Sequence, residues 1–150
     1  MKNNKSVVIG GLVVLVIILG VLFYLPRLGK KSIVTDIPCL APNLPLVQHI
    51  HPVLTITIDG KADIIPANIG LGGVCEHALH THDDTGTIHV EAQDARKYTL
   101  GDFYSIWGEQ IMKDGYKLEA IVDEVAMPAN GLTTLVLQDK QQIILTYTKQ

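Results

Sequence analysis

Residues 77 to 91, with the sequence HALHTHDDTGTIHVE, constrain the fold of this chain more than any other segment. Polar and apolar side chains alternate on both sides of residues 83 to 86, which are turn formers, and this pattern predicts a β-hairpin. If two or four residues close the turn, His80 lies opposite His89. A three-residue loop would instead place these imidazoles on the face of the aliphatic side chains. Because a slip of one residue exchanges the two faces, the alternation favours the even loop.

With an even loop, four candidate metal ligands share one face of the hairpin. They are His80, His82, His89 and Glu91. Directly opposed residues have Cβ atoms roughly 5 Å apart, so two imidazoles can reach one ion. Four of the six histidines fall in this segment and none follows it. Because histidine is the commonest metal ligand, this crowding predicts a site for copper or zinc.

A second alternating run, HIHPVLTITI at residues 49 to 58, predicts a half-buried strand. His49 and His51 lie on its polar side. The Asp-Gly dipeptide that follows is a strong hairpin signal, so residues 61 to 65 are expected to return as another strand. Strand order cannot be derived from such patterns. His49 and His51 therefore either join the hairpin site or form a second one.

The N-terminal segment has no charged side chain from residue 6 to residue 25. About twenty such residues, at 1.5 Å each, match a hydrocarbon core of roughly 30 Å, so residues 1 to 25 are predicted to form a single-pass membrane anchor. A cleaved signal peptide is the alternative, but no small-residue cleavage site follows the apolar run. We expect an uncleaved anchor in the cell membrane, with residues 47 to 150 as an extracytoplasmic domain.

Four prolines between residues 26 and 46 predict an extended linker. Cys39 and Cys75 are the only cysteines, and both follow the predicted anchor. A disulfide between them would close a loop of about 36 residues and stabilise the domain by roughly 4 kcal/mol. The competing interpretation makes Cys75 a thiolate ligand near His77. We prefer the disulfide, and both interpretations place the domain outside the cytoplasm.

The C-terminal half predicts one helix and several strands. Thr99, followed by Asp102, resembles a helix N-cap with an acid in the first turn, and the apolar spacing predicts a helix over residues 100 to 112. Strands are predicted at residues 116 to 126, 132 to 137 and 142 to 148. Together with the N-terminal strands they indicate an α+β fold, mainly antiparallel β-sheet, with an all-β sandwich as the alternative.

The charge of the chain limits its partners. Beyond residue 31, seven Lys and Arg stand against fifteen Asp and Glu, a net charge of minus eight. Such a negative domain is unsuited to binding nucleic acid. The partners we expect are the membrane, through the N-terminal helix, and a membrane protein complex.

Several sequence blocks follow one another in a distinctive order: HIHPVLTITIDGK, PANIG, Cys75, LHTHDDTGTIHVE and LGDFYSIWG. In this order they resemble a group of largely uncharacterised membrane-anchored or secreted prokaryotic proteins. The likeness covers most of residues 49 to 108, and LHTHD and IHVE are its most specific parts. The resemblance implies a shared site, but it implies no particular activity. The positions it marks are His49, His51, Cys75, His80, His82, His89 and Glu91. His77 has no place in this pattern.

Three interpretations of the histidine cluster follow. The first is a binding protein that holds or delivers copper or zinc. The second is an enzyme, a hydratase or hydrolase, in which His80, His82 and His89 hold zinc while Glu91 or His49 moves the proton. The third is a structural subunit of a membrane complex that binds no metal.

Overall fold

A computed structural model of the chain describes residues 37 to 73 and 75 to 150. These residues belong to the structural unit Ile33–Gln150. The predicted anchor, residues 1 to 25, lies outside the described residues. Within the described part, no helix is long and apolar enough to cross a membrane.

The described residues form two β-sheets. The three-stranded sheet has the order β1-β5-β4 and consists of β1 (Gln48–Ile50), β4 (Leu79–His80) and β5 (His89–Ala92). The five-stranded sheet has the order β3-β2-β8-β6-β7 and consists of β2 (Val53–Ile58), β3 (Lys61–Asp63), β6 (Tyr116–Val122), β7 (Val125–Met127) and β8 (Gln142–Lys149). Every strand pair in these sheets is antiparallel except β2 with β8, which is parallel. Together with one α-helix, α1 (Leu100–Trp107), this mainly antiparallel architecture agrees with the predicted class.

The run predicted as a single strand over residues 49 to 58 is divided between the two sheets. Strand β1 pairs with β5, whereas β2 pairs with β3 and β8. Pro52 lies at the crossing. Because proline has no backbone N–H to donate, it interrupts a ladder, and its carbonyl oxygen instead accepts a hydrogen bond from the Ile88 N–H at 2.9 Å. His49 therefore lies in strand β1 of the three-stranded sheet, and His51 directly follows that strand.

Helix α1 begins as predicted and ends earlier. The Thr99 hydroxyl accepts a hydrogen bond from the Asp102 N–H at 3.1 Å, and the Asp102 carboxylate accepts one from the Thr99 N–H at 2.9 Å. The helix stops at Trp107 rather than at residue 112, because Gly108 adopts a left-handed conformation, with φ of 81°, and its N–H donates to the Tyr104 carbonyl oxygen. Such a glycine C-cap is a common helix stop.

Replacing Thr99 with alanine should lower the free energy of unfolding by about 1 kcal/mol, because the cap at the start of α1 loses its acceptor. Thr99→Ser keeps the hydroxyl and should lose much less. Urea unfolding followed by circular dichroism measures both variants. An equal loss in the two would show that the methyl group matters rather than the cap.

Two further predicted strands differ from the structure. The segment at 116 to 126 is a hairpin of β6 and β7, turned at Asp123 and Glu124, which both have positive φ. Residues 132 to 137 are not a strand. A 3-10 helix, Ala129–Thr134, takes up the first half of this segment and buries Leu132, and within the segment only Val136 forms an isolated bridge, to Thr99. Pro128 precedes this helix and has no N–H for a ladder, which favours the compact turn.

The segment before β1 packs against the domain from residue 37 onward. Ile37 is buried, and the Gln93 side chain exchanges hydrogen bonds with the N–H and the carbonyl oxygen of Ala41. Cys39 and Cys75 form the predicted disulfide, with Cα atoms 5.4 Å apart. Because Cys75 is in this bond, it offers no thiolate to a metal.

Candidate metal centre

The histidine hairpin has the predicted register. His80 lies opposite His89, and Leu79 lies opposite Val90. The second face is buried as expected, since the side chains of Leu79, Thr81, Ile88 and Val90 are inaccessible to solvent. The alternation of polar and apolar residues therefore fixed which face carries the imidazoles.

The turn of the hairpin is held by its own side chains and by β2. The Asp83 carboxylate accepts hydrogen bonds from the Thr85 N–H at 3.0 Å and from its hydroxyl at 2.6 Å, and these bonds lower the pKa of Asp83. Gly86 has φ of 84°, and a Cβ there would overlap the Leu54 carbonyl oxygen. Asp83 thus has a structural role, as the turn chemistry predicts.

One group of candidate ligands forms on the hairpin. Its members are His80, His82, His89 and Glu91, each with a ligand atom within 4.8 Å of the others. The Nε2 atoms of His80 and His82 are 3.3 Å apart. Two imidazole nitrogens on a tetrahedral zinc ion would be separated by about 3.3 to 3.4 Å, given zinc to nitrogen bonds of about 2.0 to 2.1 Å. This pair is therefore already at the spacing of two ligands on one ion.

His80 is oriented by the main chain. Its Nδ1 lies 3.0 Å from the carbonyl oxygen of His77 and donates to it, because a carbonyl oxygen can only accept. The neutral ring then carries its lone pair on Nε2, which faces His82, so His82 donates in the contact between them. Metal-bound histidines usually donate their other N–H to such an acceptor. The arrangement leaves Nε2 of His80 free to bind an ion once His82 gives up that proton.

This main-chain contact explains the role of His77. The His77 ring belongs to neither candidate group, and its Nδ1 lies 3.7 Å from the Cys75 sulfur. What His77 contributes is its carbonyl oxygen. No sequence pattern marks this role, since every residue carries the same carbonyl group.

His89 has a buried nitrogen without a hydrogen bond. Its Nδ1 is 3.5 Å from the Glu91 carboxylate, but no hydrogen bond joins them. Buried polar atoms in proteins are nearly always hydrogen-bonded, and an unpaired one is costly. A metal ion is one partner that would satisfy this nitrogen.

A second group of candidate ligands forms between β1 and β5. It consists of His49, His51 and His89, again with ligand atoms within 4.8 Å of one another. Pairing of β1 with β5 places His49 opposite Glu91, and its Nε2 lies 3.2 Å from the Glu91 carboxylate. The rings of His51 and His89 are 4.7 Å apart, edge to face. The two groups therefore share His89, which the sequence pattern could not predict.

Comparisons with known proteins find no match. No protein family, no curated protein and no solved structure matches this chain. The geometry of the histidines is therefore the basis for assigning a function. It supports the conclusion that these side chains could hold a metal ion.

The site should be sensitive to acid. Burial lowers the pKa of His80 and of His89 below the ordinary 6.5, and for His89 the neighbouring histidines lower it further. At these two histidines the unfolded chain therefore binds more protons just below about pH 6.5. Their contribution to stability is fully present above that pH and is lost as the pH falls below it.

Metal affinity should also fall below about pH 6, because protons compete for the same lone pairs. The lowered pKa of His80 and His89 means that binding declines at a lower pH than for a free imidazole. Metal content after dialysis at a series of pH values tests this expectation. Full retention below about pH 4.5 would indicate that carboxylates rather than imidazoles hold the ion.

Proposed function

We propose that this protein binds a transition-metal ion, copper or zinc, in an extracytoplasmic domain anchored to the cell membrane. The ligands we assign are His80, His82 and His89, with Glu91 as a further ligand or a hydrogen-bonding partner. The observation that carries the proposal is the 3.3 Å separation of the His80 and His82 Nε2 atoms, with the opposite nitrogen of His80 donating to the His77 carbonyl oxygen.

The ligand type supports copper or zinc. Imidazole nitrogen suits zinc and copper, whereas a site for magnesium or calcium would consist mainly of oxygen ligands. Glu91 supplies one carboxylate at the edge of the group, 3.5 Å from His89 Nδ1. The affinity order of divalent metals favours copper, and three histidines with a water molecule form a common zinc arrangement. We therefore propose that the bound ion is copper or zinc, and both ions are to be tested.

Exposure supports a carrier over an enzyme. The assigned ligand His82 is exposed, so a partner or a chelator can reach the ion directly. An enzyme in which Glu91 moves a proton is the second candidate, because the Glu91 carboxylate lies 3.2 Å from His49 Nε2. Exchange kinetics separate the two, since a carrier should release its ion to a competing chelator while an enzyme should retain it.

The disulfide supports the proposed location. Bonds such as Cys39–Cys75 persist in oxidising compartments and are rare in the cytosol. In our proposal, residues 1 to 25 hold the domain at the membrane, and the acceptor or donor of the ion is a membrane protein complex.

Elemental analysis tests the proposal. The full chain is purified without a histidine tag, with and without reconstitution by copper or zinc, beside the His80→Ala, His89→Ala double variant. We expect close to one ion per chain in the parent protein and a loss of that ion in the variant. No bound metal after reconstitution with either ion would instead favour the structural subunit.

A further inference from the structure

Five imidazole rings form a continuous row across the three-stranded sheet, in the order His49, His51, His89, His82 and His80. The centroid distances are 4.6 Å from His49 to His51, 4.7 Å from His51 to His89, 4.4 Å from His89 to His82 and 4.8 Å from His82 to His80. Exposure of the side chains is uneven along the row. It is 52% for His49, 38% for His51 and 20% for His89; His82 is exposed again, whereas His80 is fully buried.

The row contains two ligand groups with one shared member. His49 and His51 lie on one side of His89, and His80 and His82 lie on the other. A neutral imidazole has a single lone pair, because its second nitrogen carries a proton. His89 can therefore bind an ion of only one group at a time while it stays neutral. The two groups are alternative positions for one ion.

We propose that His49, His51 and His89 form an outer metal position, and that the ion passes from it to the inner position of His80, His82 and His89. This inference rests on the proposed metal binding. His89 stays bound during the transfer, while His51 and His49 are exchanged for His82 and His80. The ion keeps its charge and oxidation state, so no electron donor is needed. The Nε2 proton of His82 passes to solvent while its Nδ1 takes up a proton from solvent, so the ring stays neutral and no net proton is released.

Glu91 lies where it can assist this transfer. Its carboxylate is 3.2 Å from His49 Nε2 in the outer group and 3.5 Å from His89 Nδ1, the shared member. A carboxylate between the two positions offsets the positive charge of the ion in both. The competing route is direct uptake past His82, which is also exposed.

Stopped-flow binding of Zn²⁺ to the full chain distinguishes the two routes. The variant is His49→Gln, His51→Gln, which retains polar side chains, and circular dichroism checks its fold. We expect association and dissociation of Zn²⁺ both to slow by about tenfold, while the dissociation constant changes by less than about threefold, because the inner position keeps all its ligands. Chelator competition measures the equilibrium constant on the same samples.

Other outcomes would overturn the inference. Unchanged rates in the variant would mean that the ion arrives directly past His82. A weaker affinity of about tenfold or more with an unchanged association rate would mean that His49 and His51 are ligands of one joined site. Two ions bound at once by the parent protein would contradict a shared neutral His89. Absence of any binding by the parent protein would be a failure of the proposed function itself, and it is distinguishable because the other outcomes require binding.

Discussion

Replacing His80 with alanine should weaken the binding of zinc or copper by at least about tenfold, whereas His77→Ala should change it by less than about threefold. The reason is that His80 offers Nε2 at 3.3 Å from the His82 nitrogen, while His77 contributes only a carbonyl oxygen, which alanine retains. Competition titration against a chromophoric chelator near pH 7.5 measures both affinities. Removing His89, the partner of His80 across the hairpin, should have an effect as large as that of removing His80.

Stability measurements on the metal-free proteins provide the control for this comparison. His80 is fully buried, so its replacement leaves a cavity and could weaken the fold as well as the site. If His80→Ala unfolds with a normal midpoint and still binds metal as the parent does, the proposed ligand set is wrong. If both variants lose affinity equally, the His77 ring takes part in binding after all.

The hairpin and its register could be predicted from the sequence because they depend on local chemistry. Alternation decides which side chains share a face, and a slip of one residue would have exposed Leu79 and Ile88, which are buried. The cap at Thr99 was predictable for the same reason, since its hydrogen bonds involve residues only three positions apart.

The arrangement of strands could not be predicted, because it depends on contacts between distant segments. Pairing of β1 with β5 brings His49 to Glu91, 42 positions along the chain, and nothing in either strand specifies the other. Likewise, β2 pairs in parallel with β8 at the far end of the chain. Two predicted elements were too long although the sequence carried a signal for where they stop. Pro52 marked the division of the strand predicted over residues 49 to 58, and Gly108 marked the end of α1.

The disulfide should have the largest effect on stability. A Cys39→Ser, Cys75→Ser variant is expected to lose about 4 kcal/mol of unfolding free energy, because the bond closes a 36-residue separation and restricts the unfolded chain. Urea unfolding of the metal-free parent and variant, each with and without reductant, measures this loss. Reductant should destabilise the parent alone. Mass spectrometry of the untreated parent should find two hydrogens fewer than the reduced mass.

The same variant tests whether the disulfide also supports the metal site. The bond lies beside a short main-chain pairing, in which the Leu40 N–H donates to the Glu76 carbonyl oxygen at 2.8 Å and Cys39 bridges to His77. The His77 carbonyl oxygen in this segment accepts the hydrogen bond that orients His80. Removing the disulfide should make this segment less rigid, so we expect metal binding to weaken together with the fold. If stability falls but affinity does not, the main-chain bonds alone hold His77 in place. Equal stability with and without the bond would contradict a structural role for the disulfide.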